Sequence, residues 1–131
     1  MTIKPNFIIA CEQAFLTAGT NNLNLIGIFT NIHASQFPLT YRHFALVVNF
    51  DIEERGSYEL ETVMKDPEGK EIVRSKLQAN VTASPFQVIA NLENVVFPQP
   101  GNYELSISVG GTLVGSRTLY INPVVAKQNL A

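Results

Sequence analysis

An all-β sandwich of about eight strands is the fold class predicted by three features of the sequence. Apolar and polar residues alternate with a period of two from end to end, and helical periodicity holds over no full window. Turn-forming clusters recur every eight to twelve residues or so, the spacing expected of a sandwich rather than of alternating strands and helices. At 131 residues the chain is expected to form one domain, 1–131, with a self-sufficient core.

In the first strand, Phe7, Ile9, Cys11 and Gln13 alternate with Ile8, Ala10, Glu12 and Ala14. Apolar side chains on both faces predict a strand covered on each side, at least in its first half. Thr17–Asn22, TAGTNN, is a turn of small residues that tolerate positive φ. Leu23–Ala34 reads as one second strand, and its Gly27 marks a bulge or a close backbone approach. The clearest alternation follows: Phe44, Leu46, Val48, Phe50 and Ile52 face one way, and Ala45, Val47, Asn49 and Asp51 the other. The run EERG turns the chain, and Tyr58, Leu60, Thr62 and Met64 form a fourth strand. Asp66-Pro67-Glu68-Gly69 has Pro at the second and Gly at the fourth position of a type I turn. The more polar stretch that returns from it, KEIVRSKLQA, is expected at a sheet edge, where Lys and Arg discourage pairing between molecules. PFQVIANLENVVF makes a sixth strand. Two more follow, with Tyr103, Leu105, Ile107 and Val109 inward and Gly110-Gly111 as a two-residue hairpin turn. Pro100-Gly101-Asn102-Tyr103 resembles a tyrosine corner, in which a Tyr hydrogen-bonds backwards to stiffen a Greek-key crossing. Ala126–Ala131 reads as a free tail.

Composition excludes several roles. Charged residues make up 15% of the chain, well below the usual quarter, so exposed positions lean on Ser, Thr, Asn and Gln. Nine basic against eleven acidic residues provide no field to neutralise phosphates, so nucleic acid is not an expected partner. So small a net charge also does little to keep copies apart. The single Cys cannot form an internal disulfide. Ile8–Cys11, IIAC, resembles a lipoprotein cleavage box, but the apolar run before it is Phe7–Ala10, shorter than the ~7–15 residues a secretory signal needs. The sequon Asn80-Val81-Thr82 therefore reads as chance, and no apolar run approaches the ~20 residues that span a bilayer. The expected setting is cytoplasmic, with no membrane partner.

Candidate chemistry is sparse. Cys11 with His33 or His43 as base would be a thiol nucleophile, but such a Cys needs an electropositive, partly exposed setting. Here it sits mid-strand among apolar residues and reads as a small buried hydrophobe. One Cys and two separated His do not make the closely spaced ligand pairs of a zinc site. Asp51, Glu53 and Glu54 are a thin basis for calcium and read as a solvated strand end. The glycines of GGTLVG sit in a hairpin rather than opening a helix, so they serve backbone geometry and not phosphate binding. No catalytic residue, metal or cofactor is expected. Glu12 is the one acid on an otherwise apolar face, with Ile8, Ala10 and Ala14 beside it. It must find a partner, shift its pKa or sit at an interface.

Three stretches carry a family resemblance: Cys11-Glu12 in the first strand, Asn22–Phe29 with Phe37-Pro38 soon after, and Val88–Ile121. Nearly end to end, the chain resembles a small bacterial family described only as a domain of unknown function. The resemblance implies an Ig-like antiparallel β-sandwich with Greek-key-type connections and no assigned activity. The functional expectation is thus a non-catalytic interaction module. Its first two strands carry more apolar surface than a two-sheet sandwich needs, so a homodimer or another protein partner is expected to cover it. Glu12, Phe15, Leu25 and Phe29 are the candidate interface residues, with Leu16 beside them. The rival is a small-ligand or carbohydrate-binding sandwich using Tyr41, Tyr58 or Phe37 as aromatic platforms, and the absence of Trp counts against it. A small enzyme ranks third.

Overall fold

The computed structural model describes residues 2–124, so the expected tail at Ala126–Ala131 lies outside the described residues. Among the described residues nine strands follow one another: β1 (Ile3–Leu16), β2 (Leu23–Ile28), β3 (Asn31–Ala34), β4 (Leu39–Ile52), β5 (Gly56–Lys65), β6 (Glu71–Val81), β7 (Phe86–Phe97), β8 (Gly101–Val109) and β9 (Thr112–Pro123). They form a four-stranded sheet in the order β2-β1-β4-β7 and a five-stranded sheet in the order β3-β9-β8-β5-β6. All pairings are antiparallel except β3 with β9, which run parallel.

The period-two pattern produces the core directly. Phe44, Leu46, Val48 and Phe50 of β4 meet Leu60 and Met64 of β5 and Tyr103, Leu105, Ile107 and Val109 of β8 in one buried cluster between the sheets. Tyr103 is the corner the sequence predicts. Its hydroxyl donates to Gln99 O at 2.6 Å, and Gln99 N donates back to that oxygen at 3.2 Å. The ring meets Phe97 edge-on at 5.0 Å.

The turns follow their residues. Gly110 and Gly111 both have positive φ, 56° and 83°, as a type I′ hairpin turn requires. In Asp66–Gly69 the Gly69 N–H closes the turn on Asp66 O at 2.9 Å, and Asp66 Oδ1 accepts from the backbone of Glu68 and Lys70. Strand β6 lies at a sheet edge as expected, with Arg74 bridging Glu61 and Glu71 at 2.5 and 2.6 Å.

One expectation is corrected. Leu23–Ala34 is two strands rather than one, which raises the count from eight to nine. Phe29 N donates to Ala10 O at 3.0 Å and Thr30 O accepts from Tyr120 N at 2.8 Å, so adjacent residues are bonded to opposite sheets. The corner is a single bend at Thr30 with no Gly or Pro in it, which is why nothing in the sequence marks it.

Candidate functional site

β1 and β4 part company halfway along. They pair from Ile3–Ile52 to Cys11–Ala45, and beyond that point β1 pairs, among the described residues, only with β2, from Cys11–Ile28 to Leu16–Leu23. β4 meanwhile stays paired to β7 as far as Leu39–Phe97. The far half of the β1–β2 hairpin therefore leaves its sheet and opens a notch. Glu12, Gln13 and Ile26 line one wall, and Thr40, Tyr41, Arg42 and His43 line the other.

Aromatic packing closes the inner side of this notch. Phe29, Tyr41 and Phe44 stack mutually with centroids 5.7–5.8 Å apart. Tyr41 and Phe44 are three residues apart yet both pack on the core cluster, so the alternation of β4 is broken between them. That odd spacing is the sequence signal for Thr40 and Arg42, which sequence reasoning missed. Glu12 lies across Gly27, where φ is +70° and a Cβ would collide with the carboxylate. The Tyr41 phenol is pushed above its ordinary pKa by burial and further by the negative charge of Glu12. His43 Nε2 lies 3.1 Å from Asn91 Oδ1.

A second apolar cluster covers the outer face of the four-stranded sheet. Cys11, Ala45 and Val47 are fully buried there under Phe7, Ala14, Leu23, Leu25 and Ile89. Much of the two-faced apolar surface of β1 is thus covered within the chain itself. The Cys11 Sγ–H donates to Gln13 O at 3.3 Å, and burial raises the thiol pKa, so the protonated form is favoured. His33 is exposed on β3, in the other sheet from Cys11 and His43. Among the described residues no three His, Cys, Asp or Glu side chains converge.

The four candidate interface residues fall in four different environments. Glu12 lies in the notch, and Phe29 is half-buried against the core. Leu25 is half-buried in the outer-face cluster. Phe15 is 47% exposed on the departing hairpin, with Leu16 at 48% and Ile26 at 49% beside it.

Over residues 6–122 the chain matches the family described as "Family of unknown function (DUF6941)". The chain belongs to this family. The match agrees with the resemblance carried by Cys11-Glu12, Asn22–Phe29 and Val88–Ile121. No curated protein matches this DUF6941 chain. Among solved structures, it is similar to an immunoglobulin-like protein from Pseudomonas aeruginosa, with 11% identity and a TM-score of 0.51 over 93% of this chain and 98% of that one. It is also similar to the Pseudomonas fluorescens alkylpurine DNA glycosylase AlkC, with 9% identity and a TM-score of 0.51. That match covers 92% of this chain but spans only 30% of the glycosylase. At these identities the likenesses establish the DUF6941 fold as immunoglobulin-like and nothing about its activity.

Proposed function

We propose that this chain is a non-catalytic interaction module that pairs with a second copy through its β1–β2 hairpin. The observation that carries this reading is the exposure of Phe15, Leu16 and Ile26, at 47–49%, on a hairpin that has left its sheet. Phe15 and Ile26 share one face of the hairpin, and Leu16 lies at its end on the other. Large apolar side chains left exposed on one element are the usual mark of a protein contact. A second copy is the simplest cover, because one self-complementary patch closes a two-fold dimer. A net charge of −2 opposes that approach only weakly. The non-catalytic part is supported by a buried thiol engaged as a donor and by Glu59 and Glu104, which face water from alternating strands. A reducing, cytoplasmic setting suits a chain whose one cysteine is buried and free.

Sedimentation at low micromolar concentration tests the proposal. The native chain should run as a dimer, and Phe15→Ser with Leu16→Ser should run as a monomer with an unchanged circular dichroism spectrum. A clean monomer for the native chain would overturn the proposal.

A further inference from the structure

Among the described residues, neither sheet is continued along the side of the sandwich where β1 faces β9. β2 joins β1 only from Cys11 onward, and β3 joins β9 only from Tyr120 onward. Between these two open edges lies an apolar cleft of about 270 Å³, walled by Ile8, Ala10, Ile28, Phe29 and Leu119. Arg117 stands in it. Its register partner on β8 is Leu105, which is fully buried, so Arg117 starts from a core-facing position of β9. The side chain runs out through the seam, and Nε donates to Ile8 O at 2.8 Å.

Arg117 is nonetheless exposed, so its guanidinium stays solvated at the mouth of the seam, within reach of a ligand. Its bond to Ile8 uses one of five N–H donors, and Arg117 forms no ion pair among the described residues. A cation with no counter-charge among the described residues, and with a planar fork beside apolar walls, is complementary to a carboxylate that carries a hydrocarbon tail. A single guanidinium in the cleft lining, in a chain of net charge −2, suits a monoanion better than a phosphate. Scaling from an apolar cavity of about 150 Å³ that takes benzene, the cleft has room for a tail of roughly ten carbons.

We propose that the β1–β9 seam is a binding site for a small aliphatic carboxylate, with the Arg117 fork holding the carboxylate and the cleft holding the tail. The test is titration of the full chain with octanoate, followed by amide and methyl chemical shifts. Perturbations should be confined to residues 8–10, 28–30 and 115–119. Octan-1-ol, with the same tail and no charge, should bind the native chain at least tenfold more weakly. Arg117→Gln should weaken octanoate binding by about ten- to a hundredfold, the worth of a charge-assisted hydrogen bond. Arg117→Lys, which keeps the charge without the fork, should fall between. Octan-1-ol binding as tightly as octanoate, perturbations elsewhere, or no binding at millimolar octanoate would each overturn the proposal. The octan-1-ol comparison uses the native chain and so holds even if Arg117→Gln fails to fold.

Discussion

Tyr103 joins local sequence to long-range structure more directly than any other residue. Its ring fills the core against Phe97, while its hydroxyl both donates to and accepts from the backbone of Gln99. Tyr103→Phe should cost about 0.5–1.5 kcal/mol, or more for the backbone groups it strands, which urea denaturation would register as a lower midpoint. An unchanged midpoint would mean that the corner bond contributes nothing net. Burial also pushes the Tyr103 phenol and the Cys11 thiol above their ordinary pKa values. Above the unfolded values, about 8.5 for Cys and 10 for Tyr, the unfolded chain sheds these protons first. Stability should therefore hold below that range and fall as pH rises through the folded values. Urea midpoints between pH 7 and 11 would measure the fall, and Cys11→Ala should remove its earlier part. The role of Tyr103 was legible because its motif spans only four residues. The position of Arg117 was legible in principle, since it alternates in phase with Leu119 and Ile121, but whether such a residue turns out through a seam depends on which edge the facing sheet leaves open.

At the scale of elements, strands read well where one face met the core, and poorly where the chain changed partners. Strand β5 is an example of the first kind, with Leu60, Thr62 and Met64 buried and Glu59 exposed. The break between β2 and β3 is of the second kind, because a bend between two extended segments leaves alternation nearly intact. The notch was illegible for a related reason: β1 keeps its strand conformation after leaving β4, and only Gly27 signals an unusual approach. Gly27→Ala should accordingly be costly. A left-handed conformation at a non-glycine residue costs on the order of 1–3 kcal/mol, and the new methyl also meets Glu12. Adding Glu12→Ala should relieve the collision but leave the backbone strain, so the double variant should recover only part of the loss. Full recovery in urea denaturation would show that the strain is negligible and the contact is everything.

For the molecule as a whole, period-two patterning with regular turns was enough to predict an all-β sandwich, whereas the order of strands was not, because the pairings β1–β4, β4–β7, β5–β8 and β3–β9 join strands remote in the chain. Ligand supply leads to one expectation at this scale. With one Cys, two His and two Asp in the chain, the thermal midpoint should be the same with and without excess EDTA. A drop of several degrees would reveal an ion bound by residues described here as solvated. The parallel pairing of β3 with β9 has a further consequence, in time rather than in space. The side-chain bond between Asn31 and Asn122 spans 91 positions, and Arg117 reaches Ile8 across 109. The entropy of closing such loops is lost before the contacts return anything, so folding should be slow, on the order of milliseconds to seconds. A chain emerging from synthesis has no partner for β3 until β9 exists, and until then Ile32 and Ala34 have nowhere to be buried. Stopped-flow refolding should find this closure late, with substitutions at Ile32 speeding unfolding far more than they slow folding.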